Sequence, residues 1–101
     1  MNELTKEIFD TEVGAYSGKV LVDFYAPWCA ECNALSPVIE AVSQKTNGVK
    51  FCAFNCDNGR EFVMDMGIMS IPTIIIFENS KEKARLIGMQ SEDDIVNALN
   101  K

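Results

Sequence analysis

Two cysteines three residues apart give this chain its clearest chemistry. Cys29 and Cys32 lie in the stretch Trp28-Cys29-Ala30-Glu31-Cys32. Residues i and i+3 of a helix have Cβ atoms roughly 5–6 Å apart, so the two sulfurs can approach closely enough to form a disulfide. The spacing therefore predicts a redox-active pair that opens and closes with little movement of the backbone.

The two thiols are expected to differ if a helix begins at the first of them. The free N–H groups and the positive end of a helix favour the thiolate form of a cysteine in the first turn. Cys29 is therefore the expected nucleophile. Cys32, one turn further along, is the expected resolving thiol.

A buried strand must lead into this helix. Residues 20–25 are β-branched, apolar or aromatic at nearly every position, which is typical of a strand covered on both faces. The exception is Asp23, because a carboxylate in such a strand is costly to bury unless it is partnered or protonated. The alternative is that Asp23 lies at a strand end and faces solvent.

An apolar stripe at helical spacing follows the cysteines. Its members are Leu35, Val38, Ile39 and Val42. The helix is expected to end at Asn47-Gly48, a common helix stop, and to be kinked at Pro37, whose ring removes one hydrogen bond.

The rest of the chain alternates between strand and helix patterns. A short strand and a helix capped by Thr5 come first, and further strands are predicted at 49–55, 73–77 and 83–87, the last two joined by a polar turn at 78–82. A short helix falls between the first two of these strands, and a capping box at 91–94 opens the last helix. This order predicts a single α/β domain over residues 1–101, with one mixed sheet of about five strands flanked by four helices.

Composition narrows the function classes. The 101 residues carry a net charge of −6 and no basic run, which argues against nucleic-acid and anionic-membrane partners. No segment has the length of a signal peptide or a membrane span, so a cytoplasmic location is expected. Histidine is absent, so proton transfer must fall to carboxylates, thiols or water, and no metal site of the Cys/His type is expected.

Several spaced motifs resemble the thioredoxin family, and the resemblance covers nearly the whole chain. They are residues 20–26, the Trp28-Cys29-Ala30-Glu31-Cys32 stretch, Pro37, Ile71-Pro72-Thr73 and Ile87-Gly88. The resemblance implies a thioredoxin fold and a dithiol–disulfide oxidoreductase that needs no bound cofactor. It also implies disulfide-containing protein substrates and a thioredoxin reductase, either NADPH-flavin or ferredoxin-linked, that restores the dithiol. A monomer is expected.

The resemblance also implies roles for single residues. Asp23 would be a buried proton relay for Cys32, acting through water, and the peptide bond before Pro72 would be cis, so that Ile71 offers its backbone to an extended substrate. Trp28, Ala30, Glu31, Gly88 and Met89 would complete the substrate-binding rim. Trp28 has an alternative place in the core, as aromatic residues are mostly buried.

Several positions depart from the family pattern. Ala30-Glu31 replaces the usual Gly-Pro, and the charge of Glu31 should oppose thiolate formation, which predicts a protein as reducing as ordinary members or more so. Alternatively, Glu31 contacts basic partners or is simply an acidic residue favoured at a helix N-terminus. Ala53 stands where a lysine commonly neighbours the buried aspartate, so the pKa of Asp23 should rise further. Tyr25 replaces a frequent Trp.

The chain has two further cysteines, whose role the sequence leaves open. Cys52 and Cys56 are ~13 Å apart along an extended strand, too far for a disulfide, and are interpreted as buried small hydrophobes or, for Cys56, as a regulatory thiol. Two functions other than the oxidoreductase also remain open. All four thiolates could bind zinc, or the chain could be a redox-inert binding module on the same fold.

Overall fold

The computed structural model describes residues 1–101. One sheet contains five strands: β1 (Asn2–Leu4), β2 (Lys19–Tyr25), β3 (Val49–Asn55), β4 (Thr73–Glu78) and β5 (Lys81–Ile87), in the order β1-β3-β2-β4-β5. β1, β3 and β2 run parallel, whereas β4 is antiparallel to β2 and to β5. The predicted mixed sheet is therefore confirmed, with β2 at its centre.

Four helices accompany the sheet, as predicted. They are α1 (Lys6–Phe9), α2 (Ala30–Lys45), α3 (Arg60–Asp65) and α4 (Glu92–Leu99). A π-helical turn, Asp10–Gly14, continues α1, and a 3₁₀ turn, Cys56–Asn58, precedes α3. Pro37 lies inside α2. None of these helices combines the length and the apolar character that crossing a bilayer requires.

Strand β2 is buried on both faces because its side chains alternate between two cores. Val22 and Phe24 pack on one side with Phe9 and Phe54, whereas Leu21 packs on the other side with the apolar stripe of α2. Asp23 shares the side of Leu21, since the two residues are two positions apart. The central strand thus carries its one carboxylate toward α2.

Two element boundaries differ from the sequence predictions. The polar turn is only Asn79 and Ser80, with φ of 51° and 73°, so β5 begins at Lys81 rather than at residue 83. Two left-handed residues make the tight hairpin that matches strand twist. In addition, α2 ends at Lys45, before Asn47, and the side chain of Thr5 accepts no capping hydrogen bond although it lies at the start of α1.

Candidate active site

The two cysteines form a disulfide at the start of α2. Their Cα atoms are 5.2 Å apart, and Cys29 is the N-cap residue of the helix. The backbone N–H of Cys32 donates a hydrogen bond to Sγ of Cys29 at 3.2 Å. A sulfur at this position receives a free N–H group of the first turn, so a thiolate formed there on reduction is stabilised.

The two sulfur-bearing residues are not equally accessible. Cys29 is 9% exposed and Cys32 is 2% exposed. They pack with Ala26 in a small cluster that Tyr25 and Ile71 partly cover. Solvent and other molecules therefore reach Cys29 more easily than Cys32.

Asp23 is buried, so its alternative placement in solvent is wrong. It is 3% exposed, and its Oδ1 atom has no hydrogen-bond partner. Burial, and after it the nearby carboxylate of Glu3, raises the pKa of Asp23 from 3.8 to about 7. The group therefore exchanges its proton near neutral pH, as a general base must.

Ala53, which stands where the family commonly has a lysine, lies between Asp23 and a second acidic residue. Ala53 of β3 pairs with Asp23 on one side and with Glu3 of β1 on the other. The hydroxyl of Tyr25 donates a hydrogen bond to Oε1 of Glu3. The absent cation could be predicted from the sequence, but Glu3 could not, because only the parallel register of β1 and β3 brings it to this place.

A cavity joins Asp23 to the disulfide. Its volume is about 320 Å³, and it lies between the sheet and α2, where it is lined by Glu3, Asp23, Tyr25, Cys32, Ser36 and Glu40. This is ample room for water, which occupies about 30 Å³ per molecule in the liquid. Asp23 and Cys32 thus share a polar space through which a water molecule can carry a proton.

Trp28 lies on the surface, so its alternative place in the core is wrong. Its side chain is 70% exposed. Its indole N–H donates to the carboxylate oxygens of Asp57 at 3.0 and 3.2 Å, and Asp57 also pairs with Arg60 at 3.7 Å. The indole ring of the residue that precedes Cys29 is thereby tied to Asp57 of the 3₁₀ turn and remains largely exposed.

The Pro72 segment lies against the disulfide. The Ile71–Pro72 peptide bond is cis, and the carbonyl of buried Pro72 accepts a hydrogen bond from the N–H of Gly88 at 2.9 Å. Ile71 packs on the cysteine cluster, and its own main-chain groups take no part in the backbone hydrogen bonds. Two further apolar residues beside these segments are exposed: Met69, which is 93% exposed, and Ile87, which is 62% exposed.

Glu31 is exposed in the first turn of α2, and Ala30 precedes it. No ion pair engages its carboxylate. The charge therefore acts on the neighbouring sulfurs without a cation to offset it. This agrees with an effect of Glu31 on the thiolate, and equally with a contact for basic partners.

We expect Glu31→Gln to raise the redox potential of the cysteine pair. Loss of the negative charge stabilises the thiolate and hence the dithiol. A surface charge effect of about 0.3–1 kcal/mol corresponds to a rise of about 5–20 mV in the redox potential. Equilibration with glutathione buffers, followed by Trp28 fluorescence, measures the shift. Glu61→Gln, in the first turn of α3, is the matched control, and a lower potential in Glu31→Gln contradicts the argument.

The other two cysteines are free thiols in different surroundings. Cys52 is fully buried and Cys56 is half-buried. Burial, and then the carboxylates of Asp23 and Asp57, raise the pKa of Cys56 to about 11, so its reactive thiolate is scarce at neutral pH. No three side chains of His, Cys, Asp or Glu are grouped as metal ligands, so the zinc alternative gains no support from the arrangement of the thiols.

Comparisons with known proteins agree with these features. A family model described as thioredoxin matches residues 1–101. The thioredoxin of Rickettsia felis is 38% identical over 101 residues, covering 99% of this chain and 96% of that protein. The thioredoxin of Rickettsia prowazekii is 35% identical over 102 residues, with coverage of 100% and 97%. The thioredoxin of Chlamydia muridarum is 38% identical over 85 residues, with coverage of 84% and 83%.

Proposed function

We propose that this chain, which belongs to the thioredoxin family and is a protein thiol–disulfide oxidoreductase, reduces protein disulfides with Cys29 as nucleophile and Cys32 as resolving thiol. The observation that carries the proposal is the unequal placement of the two sulfurs. Cys29 caps α2 and is the more exposed, whereas Cys32 is turned toward the cavity that also reaches Asp23.

The first step is attack by the Cys29 thiolate on one sulfur of a substrate disulfide. A mixed disulfide forms, and the other substrate sulfur leaves as a thiolate that takes a proton from water. The N–H of Cys32, which donates to Cys29 Sγ in the disulfide, is placed to stabilise the attacking thiolate. Helix N-terminal N–H groups favour this form of the nucleophile.

The second step is resolution by Cys32. Asp23 takes the proton of the Cys32 thiol through water in the cavity, and the resulting thiolate attacks Sγ of Cys29. The bond between Cys29 Sγ and the substrate sulfur breaks, and the Cys29–Cys32 disulfide is formed. The substrate sulfur leaves as a thiolate that takes a proton from water, and Asp23 returns its proton to the solvent. Two electrons pass to the substrate in each cycle, and a base whose pKa is about 7 suits the proton transfer at neutral pH.

The substrate docks on the rim around Cys29. An extended segment of the substrate pairs with the free backbone groups of Ile71, and Pro72 fixes the course of that loop. Apolar side chains of the substrate contact Trp28 and Met89, while Gly88 leaves its main chain open to approach. Ala30 and Glu31 complete the rim on the helix side, where Glu31 favours a basic neighbour.

Electrons come from a partner protein, since the exchange needs no bound cofactor. We propose a thioredoxin reductase, NADPH-flavin or ferredoxin-linked, as the donor, and a monomeric protein that works as one domain in the cytoplasm. Titration of purified protein with each class of reductase distinguishes the two donors.

Cys29→Ser is expected to abolish catalysis of protein-disulfide reduction. Without the nucleophile no mixed disulfide forms, and only the uncatalysed reaction of the electron donor remains. The assay is reduction of a disulfide-containing protein by dithiothreitol with and without catalytic amounts of the protein. Cys56→Ser, which keeps the active pair, should match the unmodified protein. Full cellular function of a variant lacking Cys29 and Cys32 would instead favour the redox-inert binding module.

A further inference from the structure

We propose that Glu3 is a positioning residue that sets the pH range in which Asp23 takes the proton from Cys32. The carboxylate of Glu3 is held at the mouth of the cavity by the hydroxyl of Tyr25. This inference rests on the proposed relay function of Asp23 and assigns its control to a residue outside the motifs described above.

Strand register brings the two carboxylates to one face. Glu3 and Asp23 both pair with Ala53, which lies between them on β3. Residues opposite each other on parallel strands point to the same side, and neighbouring strands are about 4.8 Å apart. Because the methyl group of Ala53 fills little of the space between them, both carboxylates line the same cavity.

Tyr25 fixes the direction of the Glu3 side chain. It lies two residues beyond Asp23 on β2 and therefore on the same face, and its hydroxyl donates to Oε1 of Glu3. Burial, and then this hydrogen bond, raises the pKa of Tyr25, so the hydroxyl remains a donor at physiological pH. An otherwise mobile surface carboxylate is thus directed at the cavity.

Other charged and titratable groups face the same space but do not replace Glu3. They are Glu40 of α2 and the backbone amine of Met1, while Cys32 of α2 is held in the disulfide. Cys56, after β3, does not line the cavity and packs against the core on the opposite side of the sheet. The amine lies 3.9 Å from Glu40, so those two charges offset each other. The residues paired with Asp23 on β3 and β4, Ala53 and Ile74, carry no charge.

Glu3 is therefore a negative charge near Asp23 that no ion pair neutralises. A like charge disfavours ionisation of a neighbouring carboxyl, and Glu3 follows burial as the second cause that raises the pKa of Asp23. Solvent reaches Glu3 from one side and screens part of its field. The effect on Asp23 is accordingly smaller than that of burial.

The experiment is a ¹³C NMR titration of the Asp23 carboxyl in the oxidised protein. In Glu3→Gln, which keeps the acceptor for Tyr25, the Asp23 midpoint should fall by about half a pH unit. Tyr25→Phe should lower it less, since Glu3 is then free to turn into solvent. Glu7→Gln, an exposed substitution on α1, should leave it unchanged. The pH profile of substrate reduction should shift with the midpoint.

An Asp23 midpoint that is the same in Glu3→Gln and the unmodified protein overturns the inference, whatever the kinetics show. The relay itself is tested separately with Asp23→Asn. If that substitution leaves the pH profile of turnover unchanged, the proposed relay is wrong, and the control assigned to Glu3 fails with it. Because the titration reads Asp23 directly and the profile reads turnover, the two failures are distinguishable.

Discussion

A Cys32→Ser variant is expected to accumulate as a mixed disulfide with its protein substrates. Cys29, capping α2 and the more exposed of the pair, still attacks, but no second thiol lies beside it to release the product. Well-placed intramolecular groups reach effective concentrations of about 10⁵ M or more. Release by an external thiol at millimolar concentration is therefore expected to be slower by many orders of magnitude, about 10⁸-fold from the ratio of the two concentrations.

The trapped adduct is measured by mass spectrometry of the intact protein after incubation with a disulfide-containing substrate. Turnover with dithiothreitol should fall because release of the substrate from the mixed disulfide becomes slow, whereas the first attack by Cys29 remains fast. Cys29→Ser,Cys32→Ser is the matched control and should form no adduct. An adduct of equal yield in that control would place the reactive thiol at Cys52 or Cys56 and contradict the assignment of Cys29.

The reactive pair and its helix could be predicted because their signals are local. Cys29 and Cys32 need only helical spacing, and residues 20–25, which lead to them, are apolar or aromatic except for Asp23. A charged residue in such a run has few physical explanations, so the sequence alone pointed to a buried titratable group. The raised pKa of Asp23 follows mainly from that burial.

The surroundings of Asp23 could not be predicted because they depend on register between distant strands. Glu3 and Asp23 are 20 positions apart in sequence, and their approach requires β1 and β2 to pair with β3 at the same residue, Ala53. The bond from Trp28 to Asp57 likewise joins separate loops. Nothing in the local pattern of either residue specifies its partner.

Asp23→Asn is expected to stabilise the oxidised protein at neutral and alkaline pH. The pKa of Asp23 is 3.8 ordinarily and about 7 in the folded chain, so between these values the folded state holds a proton that the unfolded state has released. The contribution of Asp23 to the free energy of unfolding is therefore at its maximum below about pH 4 and falls as the pH rises toward 7. Above pH 7 the penalty is constant.

At pH 8 the free energy of unfolding of Asp23→Asn is expected to exceed that of the unmodified protein by about 3 kcal/mol. One pKa unit corresponds to about 1.4 kcal/mol, so the whole shift of the Asp23 pKa would give about 4 kcal/mol. The unpaired amide of a buried asparagine subtracts about 1 kcal/mol from this value. Urea unfolding at pH 4 and at pH 8 measures it: the two proteins should nearly agree at pH 4 and separate at pH 8. Asp65→Asn, an exposed change at the end of α3, should follow the unmodified protein at both. If Asp23→Asn is less stable than the unmodified protein at pH 8, the Asp23 carboxylate is favourably partnered in the folded state. Burial would then not raise the pKa of Asp23, and Asp23 would not act as a base near neutral pH.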